Sequence, residues 1–165
     1  MKEKYLYDII KNPKTGLPEL RQTLELEVVI GSDHCYDEDD CMTLMQLNFA
    51  LDILDNEHLY IVGFDHYDRL CGVYCVSSGD FKSVQHYNRN IALFLLLVGA
   101  RKFRMFHNHP DNALSGSSGD YQVMGFMISL GNVIGIEFID SYVLCPDGWI
   151  KLAGGERVNE YMIER

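Results

Sequence analysis

Residues 102–134 read KFRMFHNHPDNALSGSSGDYQVMGFMISLGNVI, and the pattern changes twice along this stretch. Charged and apolar side chains alternate over residues 102–106, which predicts a β-strand because successive strand residues point to opposite faces of a sheet. After the polar, glycine-rich segment 110–119, apolar residues recur near the ~3.6-residue period of a helix, which predicts a helix over residues 120–134. Gly135 follows where glycine commonly ends a helix.

The rest of the chain also alternates between strand and helix patterns. Residues 1–22 contain turn-forming Asn-Pro and Leu-Pro pairs with little apolar periodicity, which predicts an irregular N-terminal arm. The further elements predicted are a strand over 24–30, a helix over 40–54, a hairpin of strands 59–64 and 70–76, a helix over 88–99, and strands over 136–145 and 149–152. This order indicates one α/β domain over residues 1–165, with a mixed central sheet flanked by helices.

The composition is that of an ordinary globular protein. The chain has 165 residues, of which 47% are hydrophobic and 23% charged, and its length suits one core. The formal net charge of −10 and the absence of basic clusters interleaved with aromatics disfavour nucleic acid as a partner. The longest apolar run, residues 91–98, is too short to cross a membrane, and the first residues lack the apolar stretch of a secretory signal. These features predict a cytoplasmic protein without a membrane segment.

Five cysteines form no C-x-x-C pair, which predicts free thiols. Cys71 and Cys75 would share one face of a strand, so a metal role for this pair is a minor alternative.

Two histidines at the end of the predicted strand could bind one metal ion. His107 and His109 are two residues apart, so both side chains point to the same side of a strand. Asp120, in the first turn of the next helix, could supply an anionic third ligand. Three protein ligands with a fourth position left open are typical of catalytic rather than structural zinc.

Each of these signals also has an ordinary structural explanation. An isolated H-x-H pair is more often a pair of surface or core histidines than a pair of ligands, and Ser117 with Asp120 fits a helix-capping box. Their joint occurrence around one strand-to-helix loop favours the metal site, since an acid elsewhere in the chain could act on a bound water.

Several acids could act as that general base. Glu57 comes just before an apolar strand and could lie over the sheet edge near the histidines. Asp65 and Asp68 lie in a predicted turn, Asp111 lies in the loop itself, and Glu137 lies on a late strand. The residue pattern alone leaves these alternatives open.

The string His107-Asn-His-Pro110, followed by Ser117 and Asp120, resembles the metal motif of the JAB/MPN (JAMM) metallopeptidases and, more narrowly, the JAB domain of the bacterial RadC family. The resemblance covers about residues 57–145. Other residues in register with the family pattern are Glu57, Asp65, Gly79, Arg89, Gly135 and Asp140. The resemblance implies the JAB/MPN-like (cytidine-deaminase-like) three-layer architecture.

The same resemblance implies a ligand set and a reaction. One zinc ion per chain would be held by His107, His109 and Asp120. Glu57 would be the general base that takes a proton from zinc-bound water, while zinc and Ser117 stabilise the oxyanion formed on an amide carbonyl. The implied activity is that of a metallopeptidase or isopeptidase acting on a peptide or protein, with a ubiquitin-like or otherwise extended tail as a candidate substrate.

The chain also departs from the RadC pattern. Asp111-Asn112 stands where the family commonly has Ser-Gly, Ser141 stands where a histidine commonly follows the last aspartate, and the first 56 residues are too short and too acidic for the usual helix-hairpin-helix segment. Two alternatives to a hydrolase are a non-catalytic JAB-type interaction module and a RadC-type protein associated with DNA repair. A cytidine-deaminase site would need H-x-E and P-C-x-x-C strings, which the sequence lacks.

Overall fold

A mixed eight-stranded sheet organises the residues described by the computed structural model, which are 4–27, 35–78, 88–152 and 162–164. The strands are β1 (Tyr5–Lys11), β2 (Pro18–Glu25), β3 (His58–Phe64), β4 (Leu70–Ser78), β5 (Lys102–Asn108), β6 (Glu137–Cys145), β7 (Gly148–Leu152) and β8 (Met162–Glu164). The helices are α1 (Glu38–Phe49), α2 (Asn88–Leu97) and α3 (Ser118–Ile134). The strand order is β2-β1-β4-β3-β5-β6-β7-β8, with β1–β4 and β5–β6 parallel and the other neighbours antiparallel.

Side chains alternate between the two faces of this sheet, and different helices cover each face. Tyr60, Val62 and Phe106 pack in one buried cluster with residues of α1. Leu59 and Ile61 point the other way and pack in a second cluster with residues of α2 and α3. The molecule is therefore layered as helix, sheet and helices, which confirms the predicted α/β class with a mixed sheet flanked by helices.

The prediction of an irregular arm over residues 1–22 is wrong, because the described part of that segment forms a β-hairpin. Strands β1 and β2 pair from Tyr5–Glu25 to Lys11–Pro18, and β1 adds to the sheet by pairing in parallel with β4. The Asn-Pro pair and Leu17 belong to the hairpin loop, where the Gly16 amide donates to the Asn12 carbonyl at 2.9 Å, and Pro18 begins β2. The hairpin lies on a sheet edge and its residues are half-buried or exposed, so its strands carry little apolar periodicity.

The other predicted elements between residues 40 and 152 are confirmed, with shifts at their ends. Helix α1 ends at Phe49 because Ala50 adopts a left-handed conformation with φ 48°, and only a short 3-10 turn over Leu51–Ile53 continues it. Helix α3 ends at Gly135, as predicted, where φ is 71°. Of the strand predicted over 24–30, Leu24 and Glu25 end β2, and residues 28–30 lie outside the described residues, as does Gly79.

In the part of the chain that the structure describes, no helix combines the length and the apolar character needed to cross a membrane. The cytoplasmic location stays a prediction.

Candidate metal centre

The two histidines of the H-x-H pair lie at the end of β5, near the middle of the sheet. Strand β5 is flanked by β3 and β6, and His107 pairs with Leu59 on one side and Val143 on the other. Strand alternation directs the side chains of His107 and His109 to the face covered by α2 and α3. Both are buried, with 1% of His107 and 9% of His109 exposed.

Asp120 reaches the histidines because of how α3 begins. Ser117 is the N-cap residue, and its hydroxyl accepts a hydrogen bond from the Asp120 amide at 3.2 Å. The Asp120 carboxylate accepts the Ser117 amide in return, at 2.6 Å. This reciprocal capping box satisfies two amides at the helix start and fixes the side chain of Asp120, which is 7% exposed.

The three side chains converge on one point, and we call His107, His109 and Asp120 the His-His-Asp cluster. The two imidazole Nε2 atoms are 3.2 Å apart, and the Asp120 oxygens lie 3.1 Å from His107 Nε2 and 3.4 Å from His109 Nε2. Ligand atoms ~2.0–2.1 Å from a tetrahedral zinc ion are separated by ~3.3–3.4 Å. The observed spacings match that geometry closely.

A backbone carbonyl orients one of the imidazoles. His109 Nδ1 lies 2.8 Å from the Ala113 carbonyl oxygen, so Nδ1 carries a proton and Nε2 points into the cluster. Metal-binding histidines commonly donate their second ring N–H to such an acceptor. Local sequence patterns do not predict this contact, because it depends on the loop after Pro110 folding back over the strand end.

Burial and hydrogen bonding oppose each other in the electrostatics of the cluster. Burial favours the neutral form of Asp120, but hydrogen bonds from His107 and His109 outweigh it and hold the pKa of Asp120 well below its ordinary value. Burial likewise disfavours the charged form of His109, yet hydrogen bonds to Asp120 and to the Ala113 carbonyl raise its pKa. The cluster is therefore a fixed carboxylate facing imidazoles, which suits a divalent cation.

The donor set also indicates which cation fits. Two imidazole nitrogens and one carboxylate oxygen suit zinc, whereas magnesium and calcium prefer all-oxygen sites. Among the described residues, the cluster contains three histidine, cysteine or acidic groups and no fourth. A metal ion bound there would keep a position open for water or substrate.

The structure narrows the choice of general base. Asp65 and Asp68 lie in the β3–β4 turn, and Asp68 forms an ion pair with Lys102 at 2.9 Å. Glu137 pairs with Lys102 in the β5–β6 register. Lys102 begins β5, ~17 Å along the strand from His107 at ~3.3 Å per residue. These three acids therefore lie at the end of the sheet opposite to the His-His-Asp cluster.

Glu57 lies at the same end of the sheet as the two histidines. It directly precedes β3, whose Leu59 pairs with His107. The His58 amide donates to the Asn108 side chain at 2.7 Å, which keeps the two chains adjacent beyond that pair. Glu57 is half-buried. Its role as the base stays a prediction, with Asp111 in the loop as the other nearby acid.

The departures from the RadC pattern have visible structural consequences. Asn112 is left-handed, with φ 62°, a conformation that asparagine tolerates well. Its side chain is hydrogen-bonded to the Asp147 carboxylate, which ties the loop after His109 to the β6–β7 turn. Ser141 is fully buried on β6, where it pairs with Met105. Sequence reasoning did not detect the Asn112–Asp147 contact, because it joins residues 35 positions apart.

Comparison with known proteins matches most of the chain, including the His-His-Asp cluster, to one protein family. Residues 36–156, well over half of the chain, match the family model described as the RadC-like JAB domain. Similar curated proteins, each named a UPF0758 protein, occur in Finegoldia magna (23% identical over 61% of this chain and 45% of the relative) and Rubrobacter xylanophilus (26% over 60% and 43%). Another occurs in Desulfitobacterium hafniense (25% over 60% and 44%). The matched region spans less than half the length of these relatives.

Proposed function

Since the chain belongs to the RadC-like JAB domain family, we propose that it is a zinc-dependent hydrolase that cleaves an amide bond in a peptide or protein. The observation that carries this proposal is the His-His-Asp cluster, in which three buried donors lie 3.1–3.4 Å apart. A purely structural zinc site would be closed by a fourth protein ligand, and the described residues provide three.

The protein groups around the cluster supply the rest of the chemistry. A bound zinc ion would lower the pKa of water and polarise a carbonyl oxygen. Glu57 accepts the proton of the attacking water and returns it to the leaving amine. The hydroxyl oxygen of Ser117 accepts the Asp120 amide, so its own proton remains to be donated to the oxyanion. The candidate substrate in this proposal is a protein with a ubiquitin-like or extended tail. The protein would act in the cytoplasm.

The test compares two acids near the cluster. Purified protein should bind about one zinc ion per chain and cleave peptide or isopeptide-linked reporter substrates. Glu57→Gln should keep the zinc and lower kcat by roughly 100- to 10,000-fold, the usual contribution of a general base. Asp111→Asn is the matched control. Its side-chain oxygen can still accept the Ala113 amide, as Asp111 does at 3.2 Å, and its kcat should stay near that of the unaltered protein.

Two outcomes would contradict the proposal in different ways. A protein that takes up no zinc, even when zinc is added, is not a zinc hydrolase. A zinc-loaded Glu57→Gln variant with unchanged kcat would refute the base assignment and, if Asp111→Asn is inactive, would move the role to Asp111.

A further inference from the structure

Asn108 lies between the two proposed metal ligands, but its side chain points to the opposite face of the sheet. Its neighbours His107 and His109 face α2 and α3, so strand alternation turns Asn108 towards the α1 side. The residue is 1% exposed. A buried amide needs partners for both its donor and its acceptor atoms, and the partners of Asn108 are informative.

All the hydrogen bonds of the Asn108 side chain go to one backbone segment, residues 54–58. Its Nδ2 donates to the carbonyls of Leu54 at 3.2 Å and Asn56 at 2.9 Å. Its Oδ1 accepts the amide of His58 at 2.7 Å. Residues 54–57 form neither helix nor strand, so this side chain supplies partners that regular secondary structure would otherwise provide.

These contacts bracket Glu57. The Asn56 carbonyl belongs to the peptide unit before the Glu57 Cα, and the His58 amide belongs to the peptide unit after it. Asn108 therefore holds both peptide units that set the φ and ψ of Glu57. Because Asn108 is covalently continuous with both histidines, one residue fixes the backbone of the base relative to the ligands.

We infer that Asn108 is a positioning residue that holds the backbone of Glu57 in place relative to the His-His-Asp cluster. This inference rests on the proposed hydrolase function and deepens it. A general base must lie within hydrogen-bond reach of the proton it removes, and a misplacement of about 1 Å can cost about 100-fold in rate. The loop that carries Glu57 lacks secondary structure of its own, and the Asn108 amide provides the missing constraint.

The test uses Asn108→Ala, with Asn108→Ser as a milder second variant, and a matched control in Asn48→Ala. Asn48 also makes three side-chain hydrogen bonds to backbone groups, two with Glu27 and one with Leu44, at 2.8–3.0 Å. The control thus removes a comparable set of contacts that do not involve the Glu57 segment. Hydrogen–deuterium exchange, zinc affinity and steady-state kinetics are measured on each protein.

We expect peptides that cover residues 54–58 to exchange at least tenfold faster in Asn108→Ala than in the unaltered protein, and in Asn108→Ser by a smaller factor. Zinc affinity should stay within about threefold and KM within about twofold, while kcat falls roughly 10- to 100-fold. Asn48→Ala should change neither the exchange of residues 54–58 nor kcat.

Unchanged exchange over residues 54–58 in both Asn108 variants would overturn the inference. So would a loss of kcat explained entirely by lost zinc. If the unaltered protein binds zinc but hydrolyses no reporter, the proposed function fails, while the exchange experiment still decides whether Asn108 holds the Glu57 segment.

Discussion

Asp120 takes part in two structures, the N-terminal cap of α3 and the His-His-Asp cluster, and one substitution can separate them. Asparagine at this position can still accept the Ser117 amide but no longer carries the negative charge. We expect Asp120→Asn to weaken zinc binding by more than the roughly 10- to 100-fold seen for outer partners of metal ligands. The free energy of unfolding of the metal-free protein should fall at neutral pH, because the hydrogen bonds that hold the pKa of Asp120 low favour its charged form in the folded state. Competition with a zinc-binding dye measures the first effect and urea denaturation the second.

Helix α1 provides the matched control for this substitution. Asp40 occupies the same third position in a capping box with Asp37, so Asp40→Asn makes the same chemical change in a second helix cap. Equal zinc affinities in Asp120→Asn and Asp40→Asn would show that Asp120 is not a ligand.

Asp140 leads to a second residue-scale prediction, concerning pH. Burial raises the pKa of this carboxyl from 3.8 to about 6, even though the Ser141 amide and Lys151 favour its charged form. The folded protein therefore binds the Asp140 proton more tightly than the unfolded chain does. This contribution favours folding most below about pH 4 and is lost as the pH rises to about 6.

We therefore expect Asp140→Asn to be more stable than the unaltered protein at pH 7.5. The gain should be on the order of 1–3 kcal/mol, since one pKa unit corresponds to ~1.4 kcal/mol, and it should vanish near pH 4. Asparagine keeps an acceptor for the Ser141 amide, which Asp140 accepts at 2.8 Å. Denaturant midpoints from pH 4 to 8 test this, with the exposed Asp55→Asn as control. A gain that is independent of pH would point to a cause other than ionisation.

At the residue scale, local spacing was enough to group the three donors. His107 and His109 share a strand face, and Asp120 follows one loop later at a helix start, so all three can be placed from short-range patterns. The contacts that hold them and their neighbours could not be predicted in this way. The bonds of Asn108 to residues 54–58 span 50 or more positions and depend on the pairing of β3 with β5.

At the scale of the element, Gly131 and Gly125 of α3 differ in the space that surrounds them. A Cβ added at Gly131 would lie 2.5 Å from the Ile136 carbonyl oxygen and 3.3 Å from the Phe103 ring, whereas one added at Gly125 would meet nothing within 4 Å. Helix α3 can therefore approach the β5–β6 region closely only because residue 131 lacks a side chain.

We expect the two alanine substitutions to change the free energy of unfolding in opposite directions. Gly131→Ala should lower the free energy of unfolding by about 1–3 kcal/mol through overpacking. Gly125→Ala should raise it by about 0.5–1 kcal/mol, because alanine favours a helix over glycine. Thermal and urea unfolding of the two variants provide the measurement, and stabilisation by both would show that α3 has room to move away from the sheet.

At the same scale, elements with one buried face were predictable and the N-terminal hairpin was not. Helices α1 and α3 begin with capping boxes and carry regular apolar spacing, so their positions follow from the sequence. In β2, the five residues from Arg21 to Glu25 are all exposed. The stability of such a strand comes from pairing with β1, which is a tertiary contact that local patterning does not show.

At the scale of the whole molecule, the proposed metal ligands join the middle of the sheet to a covering helix. His107 belongs to β5 and His109 directly follows it, while Asp120 belongs to α3, so the complete ligand set exists only when sheet and helix are packed together. A ligand that binds only the folded state stabilises it by RT ln(1 + [L]/Kd), ~2.7 kcal/mol at 100 times Kd. Zinc at that concentration should therefore raise the urea midpoint, and a chelator should restore the original value.

Asp120→Asn and Asp40→Asn separate this linkage from nonspecific effects of the metal. The zinc-dependent shift should be retained in Asp40→Asn and largely lost in Asp120→Asn, because only the second removes the negative charge from the cluster. The five free cysteines could bind zinc in the unfolded chain and reduce the shift, but both variants keep all five, so this effect is the same in each. An equal zinc-dependent shift in Asp40→Asn and Asp120→Asn would show that the three donors do not form a metal site in the folded protein.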